Sequence, residues 1–398
     1  MLRNILKIAY YSIVIFIWVG LLFHKSHNPR IAIYSYQYAL LLIFTFICFL
    51  YLLPRLVFLN KIKFVNYLLL ISSIVLVILL AEGISHLILV RQKKQSGNNS
   101  ITIDKNLYDI ELDSNFAYVL KRNNKHHVKK TFLNGTVIYD VIYTIDGFRR
   151  RSVGQEYLPK NKHLILFGCS YMYGEGLNDN ETLQYMLGKI MPQYNVYNYA
   201  VHGYGPQDML ALLETRRLPL EVRSNKGAAI YYFGKWDFDR AVGSMRSWWL
   251  YNSPYYRLNK GGSLERRGSF ARGRPIVISV YRFLDKLKQK SKFCKLIDIT
   301  LPLSISERDV VLTLEIIKES KKQYENQFDG KFYVLMNPFE DRGDSYIKEF
   351  TRLLEENGIQ IIYYPLKIGW EYVIYGDGHP NAKQNEFLVN NLIRDLNN

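Results

Sequence analysis

Cysteine is scarce in this chain of 398 residues, with Cys48, Cys169 and Cys294 the only three. They form no C-x-x-C pair and no Cys/His cluster, so neither a disulfide framework nor a zinc centre is read, and the redox compartment stays open. A Walker loop, a G-x-G-x-x-G after a strand, an internal repeat and a nucleic-acid-reading module are also missing. His126-His127 has no carboxylate at ligand spacing. No cofactor, no metal and no nucleic-acid partner is therefore expected. Acidic residues are nearly absent from the first 95 positions, where Glu82 stands against ten Lys or Arg. The formal charge of +17 is thus concentrated there, leaving 42 basic against 34 acidic side chains beyond. Hydrophobic residues make up 48% of the chain, which excludes disorder and supports a large core with more than one domain.

What is present begins with three apolar runs, Ile8–Phe23, Ile31–Pro54 and Phe64–Val90, separated by short basic segments. A bilayer core takes roughly 20 apolar residues as helix, so residues 1–95 are expected to hold three transmembrane helices. Arg3 and Lys7 give the first run the look of a signal peptide, but no small-residue cleavage site follows Phe23, which favours a retained anchor. Glu82 and His86 interrupt the third run. Glu82 is expected at headgroup level, with a proton relay the alternative. Basic residues flank the spans five against five, so charge alone does not orient them.

Residues 96–160 open with a polar tether and alternate around Asn134-Gly135, the pair that favours a type I′ hairpin, so a small β lead-in is expected. Residues 161–398 alternate strand and helix patterns. Strands are expected at His163–Phe167, Asn195–Tyr199, Ala228–Phe233, Phe332–Met336 and Ile359–Tyr364. Helices are expected at Thr182–Met191, Gln207–Arg217, Arg308–Phe328, Ser345–Glu356 and Asn381–Leu396. The fold class is therefore α/β, a parallel sheet covered on both faces with its site at the carboxyl edge of the strands. An insertion at about 241–305 is too long for a simple connection. Its middle, Arg257–Arg274, is basic, and Trp248-Trp249 and Tyr255-Tyr256 lie nearby. It reads as a solvated hairpin with aromatics packed on the main domain or resting on lipid headgroups, or as a surface for an anionic polymer or sugar rings.

Two segments carry chemistry. In Gly168-Cys169-Ser170, a Ser directly after a buried strand can present its hydroxyl at the sheet edge and its own N–H to an oxyanion. A Ser there is also an ordinary turn residue. In Tyr375-Gly376-Asp377-Gly378-His379-Pro380, an acid and a histidine share one turn. A hydroxyl nucleophile needs a general base, and the base needs a partner to fix its tautomer, so Ser170, His379 and Asp377 form a complete set. The alternative is that Asp377 only turns the chain and His379 only caps the last helix.

These residues resemble the SGNH or GDSL hydrolases. Gly168-Cys169-Ser170, continued through Gly174-Glu175-Gly176-Leu177-Asn178-Asp179, is similar to the first motif of that family, and Asn198–Gly205 to the second. The segment Tyr143–Arg149 resembles the lead-in strand of membrane-anchored members. The resemblance covers about residues 140–398 and implies a flavodoxin-like domain, Ser170 as nucleophile, and the N–H groups of Ser170 and Gly203 as oxyanion donors. Three positions depart from the pattern. Cys169 replaces the usual Asp and reads as a small packed residue. Gly234-Lys235-Trp236-Asp237 stands where G-x-N-D is usual, so Lys235 and Trp236 become candidate substitutes for the missing Asn; His202 is a candidate substrate contact, and Asp237, with Asp239 and Arg240, is expected to form an ion pair shaping the pocket, substrate contact being the alternative. Asp377 and His379 are spaced D-x-H, as in the alginate O-acetylation branch.

The expectation is a membrane-anchored serine esterase acting on a glycan or lipid ester of the cell envelope. Its partners are then the membrane and an acyl ester, with a polysaccharide as a candidate. An O-acyltransferase to a polysaccharide is the alternative. From another class comes a glycan-binding or assembly subunit without chemistry, favoured by the absent Asn. The resemblance places the protein in a bacterial inner membrane with the large domain outside.

Overall fold

The computed structural model describes residues 62–95, 101–103, 109–153, 160–341, 343–366 and 369–397. The first two apolar runs lie outside the described residues. Helix α1, Ile62–Gln95, is continuous and carries the third run. Among the described residues, no helix is long and apolar enough to cross a membrane. The chain divides into two compact units, one containing α1 with Val280–Ile299, the other Asn98–Ser279 with Thr300–Asn398.

In the first unit Glu82 is buried. Its carboxylate accepts the Ser291 hydroxyl and, at 2.8 Å, the backbone N–H of Lys292. It thereby satisfies donors at the start of the short helix Lys292–Ile297, where the chain leaves helix Pro275–Lys290.

The second unit is built on one sheet. Its strands are β1 (Ile101–Ile103), β4 (Asn124–Phe132), β5 (Val137–Ile145), β6 (Arg151–Ser152), β7 (Lys162–Phe167), β8 (Tyr194–Asn198), β9 (Lys226–Phe233), β12 (Asp329–Met336) and β13 (Gln360–Ile362). Two further pairs, β2 (Ile110–Glu111) with β3 (Val119–Leu120) and β10 (Pro254–Leu258) with β11 (Leu264–Ser269), stand apart from it. The spatial order is β1-β4-β5-β6-β8-β7-β9-β12-β13. From β8 to β13 all pairings are parallel. Counted among themselves, these five strands run 2-1-3-4-5, the doubly wound order in which the crevice opens beside the first strand. Their sequences fit that position. Every residue of β8, and all of β7 after Lys162, is buried, as strands covered on both faces require.

Helices fall where the periodicity places them, at Leu183–Ile190, Pro206–Glu214, Glu307–Glu325, Ser345–Glu356 and Ala382–Asn397. Local chemistry sets their starts. Asp344 accepts the N–H of Tyr346 at 3.0 Å, and Ser306 with Asp309 forms a reciprocal cap.

The lead-in is larger than expected and joins the main sheet. Gly135, at φ +86°, turns β4 into β5, and β6 pairs antiparallel with β8 through Arg151 and Asn198. In the insertion, β10 and β11 form a solvated hairpin whose Arg257 and Arg267 share Glu265, while Tyr256 is buried with its hydroxyl 2.7 Å from Glu214.

Arg151 secures the loop after β7. Its buried guanidinium donates to the carbonyls of Gly174 (3.0 Å) and Leu177 (2.8 Å) and to Asp179 (3.0 Å). Substituting Arg151→Met leaves these acceptors without their cation, and a loss of about 3–5 kcal/mol in unfolding free energy is expected from urea titration of the purified chain. A loss below about 1 kcal/mol would show that the loop holds itself.

Candidate active site

Strand β7 ends at Phe167, and Gly168-Cys169 carries the chain into the short helix Ser170–Tyr173 at the sheet's carboxyl edge. Ser170 is the first residue of that turn, so its N–H lacks an intrahelical acceptor. Beyond β13 the chain returns to the same edge. A bridge between Val373 and Pro380 folds 373–380 into a tight loop, with the Ile374 N–H donating to the His379 carbonyl at 2.8 Å. His379 reaches Ser170 from this loop. The Ser170 hydroxyl donates to His379 Nε2 at 2.8 Å, and His379 Nδ1–H donates to Asp377 Oδ2 at 2.5 Å. Three residues predicted from sequence, separated by up to 209 positions, form one chain of hydrogen bonds. With Nδ1 protonated toward the acid, Nε2 is left free to accept the serine proton.

Gly203 follows β8. It adopts φ +70°, and a Cβ there would lie 2.5 Å from Trp249 Nε1 and 2.8 Å from the Tyr118 hydroxyl, so only glycine fits. Its carbonyl accepts Trp249 Nε1–H at 3.2 Å. Among the described residues, no hydrogen bond engages the N–H of Ser170 or of Gly203. Both are available as donors to a developing oxyanion.

Two groups at the site were not foreseen. Lys130, from β4, donates to Asp377 Oδ1, and both side chains are buried. Glu175 places Oε2 3.6 Å from His379 Nε2 and accepts His202 Nδ1–H at 2.7 Å on the same oxygen. The sequence held one signal for Lys130: alternation along β4 puts it on the inward face with Val128, an unusual place for a lysine. Glu175 lies between two glycines in a loop, where no periodicity shows what it faces.

Burial works against charge throughout this cluster, and the partners decide the outcome. Burial pushes the Asp377 carboxyl up, but the His379 hydrogen bond and Lys130 hold it at about 2. For His379, burial favours the neutral ring, yet Glu175 and Asp377 outweigh it and raise its pKa above the ordinary value. Glu175 is likewise lowered, against the effect of burial, by the two histidines. At His202 burial prevails and lowers the pKa, leaving a neutral ring that donates from Nδ1.

The other sequence candidates are placed differently. Lys235 turns to Asp344, and its N–H donates to Glu340 at 2.8 Å. Asp237 is buried, accepting the Gly234 N–H at 3.1 Å and pairing with Arg240 at 3.1 Å. Both side chains are thereby engaged by ion pairs. Trp236 packs its ring 4.8 Å from that of Tyr171, which lies 5.1 Å from His379, and its indole N–H is buried without a hydrogen-bond partner among the described residues. Cys169 is buried and unbridged.

No family model matches the chain, and no curated protein is similar to it in sequence. Solved structures similar to it are SGNH or GDSL lipolytic hydrolases and carbohydrate esterases at low sequence identity. A lipolytic protein of the G-D-S-L family from Veillonella parvula is 12% identical, with a TM-score of 0.34 over 58% of this chain and 97% of that one. An acetyl xylan esterase from the rumen bacterium Butyrivibrio proteoclasticus is 12% identical, with a TM-score of 0.35 over 61% and 66%. A psychrotrophic esterase from Pseudoalteromonas is 14% identical, with a TM-score of 0.33 over 60% and 96%. At such low identity and score the likeness carries no argument about activity; the α/β assignment rests on the strand order.

The electrostatics give a pH test. A base works only when neutral, so the rate of Ser170 modification by a fluorophosphonate should climb as pH rises through the raised pKa of His379 and then level off. Glu175→Gln removes an anion that favours the imidazolium, and the midpoint should move to lower pH. Lys130→Met removes a cation that opposes it, and the midpoint should move to higher pH. Rate–pH profiles of the three proteins check this; shifts of the same sign in both variants would contradict the charge assignment.

Proposed function

We propose that this chain is a serine esterase of the SGNH type, anchored in a membrane and acting on an acyl ester of a cell-envelope glycan or lipid. The observation that carries the reading is the hydrogen-bonded sequence from Ser170 Oγ through His379 to Asp377. His379 takes the Ser170 proton as Oγ bonds to the acyl carbonyl carbon, while the N–H groups of Ser170 and Gly203 hold the oxyanion. The tetrahedral species collapses as His379 returns the proton to the leaving alcohol. Water, deprotonated by the same imidazole, then releases the acyl group as a carboxylic acid. A sugar hydroxyl in place of that water makes the reaction an O-acyl transfer, so hydrolysis and transfer share every residue named.

The anchor is supported by the three apolar runs in the sequence. The third is helical, and its described part exposes Leu70, Ile74, Val77, Leu80, Ile84 and Leu87. Placement of the esterase domain on the outer face of a bacterial inner membrane is supported by resemblance to anchored members of the family.

Ser170→Ala should abolish fluorophosphonate labelling, with the wild-type adduct mapped to Ser170 by mass spectrometry. It should also lower hydrolysis of p-nitrophenyl acetate by about 10³-fold or more, and Asp377→Asn should cost about 10²–10⁴-fold. A folded wild-type chain that takes no label would overturn the reading in favour of a glycan-binding or assembly subunit. Supplying an acetyl donor with and without a glycan acceptor then separates transferase from hydrolase.

A further inference from the structure

Four large exposed aromatic side chains lie on segments tied to the site, two on a turn bonded to Gly203 and two on the stretch that leads to Asp377 and His379. Trp248 and Trp249 are 62% and 36% exposed, on the turn Met245–Leu250. Their rings meet edge to face at 6.1 Å, and Trp249 is fixed by its hydrogen bond to the Gly203 carbonyl. Trp370 and Tyr375 are 70% and 63% exposed, on the loop that delivers Asp377 and His379. Their rings meet edge to face at 5.5 Å, and Tyr375 leans on Phe132 with centroids 6.0 Å apart. One pair is thus built onto the Gly203 turn, the other onto the acid–base loop.

Leaving such rings in water forgoes burial free energy, and fixing them beforehand removes the ordering cost that a ligand would otherwise meet. Their surroundings narrow the ligand. Charged pairs stand close to both sets in sequence: Arg246, two residues before Trp248, pairs with Asp239, and Glu371, next to Trp370, pairs with Lys383. A bilayer receiving these rings would have to strip water from those ions, which is costly. A sugar ring presents an apolar C–H face to an aromatic face and hydroxyls at its rim to charged and polar groups. Aromatic faces with ionic neighbours match that chemistry.

We propose that Trp248, backed by Trp249, and Trp370, backed by Tyr375, are two sugar-binding platforms that hold a polysaccharide chain at the Ser170 centre. The inference rests on the esterase reading and adds its substrate class. It also assigns a role to residues for which that reading has no use.

The test uses the full chain in detergent micelles, with the double variant Trp248→Ala/Trp370→Ala beside wild type. Trp249 is left intact because it touches Gly203. The readout is kcat/KM on acetylated xylan and on acetylated alginate, each divided by kcat/KM on p-nitrophenyl acetate. For at least one polymer the ratio should fall about tenfold or more, through KM. Ratios within twofold of wild type for both polymers would overturn the inference. Failure of the esterase reading shows up separately, as a wild type that hydrolyses none of the three. Affinity electrophoresis through gels carrying the same polysaccharides then decides: retardation of wild type lost in the variant upholds the platforms, and equal mobility rejects them. In vesicles containing brominated phosphatidylcholine, quenching of wild-type fluorescence that the variant lacks would assign the rings to a lipid surface and reject the sugar assignment.

Discussion

His379 lies between two buried carboxylates, and the arrangement of the site follows from that constraint. Asp377 holds Nδ1 at 2.5 Å, while Glu175 stands 3.6 Å from Nε2, beside the oxygen that must lose its proton. With a neutral imidazole the pair carries two negative charges against the single positive charge of Lys130. Transfer of the Ser170 proton to His379 supplies the missing positive charge, so the buried cluster favours the step chemistry requires. Without Lys130 the two anions would raise the His379 pKa further. Lys130 tempers the effect while keeping Asp377 ionised.

This requirement explains why the lead-in strands belong to the main sheet. Lys130 comes from β4, and Arg151, at β6, ties down the loop that contains Glu175. Both cations are buried, a costly position that persists only with good partners. Extending the parallel sheet by antiparallel strands brings them to the edge where the motif loops gather. The insertion, by contrast, supplies solvated ion pairs at β10 and β11 and the two tryptophans on the turn before them.

Much of the domain was legible in the sequence because parallel strands buried on both faces read as short apolar runs. All five expected strands fall within three residues of their observed ends, and the helix Ser345–Glu356 has the expected bounds. Strand β13 is shorter than its apolar run, for it ends at Ile362 where the run continues into Tyr363 and Tyr364. Ser170, Asp377 and His379 were legible because nucleophilic catalysis needs those residue types, and the α/β pattern places both loops at one edge. Lys130 and Glu175 were missed because their meaning depends on what faces them across the fold. Lys235 was chosen from motif position alone and pairs with Asp344, whereas Asp237 forms with Arg240 the ion pair that was its default reading. Trp370 and Tyr375 gave no signal, since their exposure can be seen only after folding.

The cation on Asp377 comes from 247 residues earlier in the chain. A polypeptide emerging from the ribosome therefore holds Lys130 and Ser170 long before the acid and base that complete the centre exist. Until the segment after β13 is made and folded back, the serine has no base and Lys130 lacks the carboxylate it is buried with. The order of synthesis thus leaves Ser170 without its base in every chain that ends before His379.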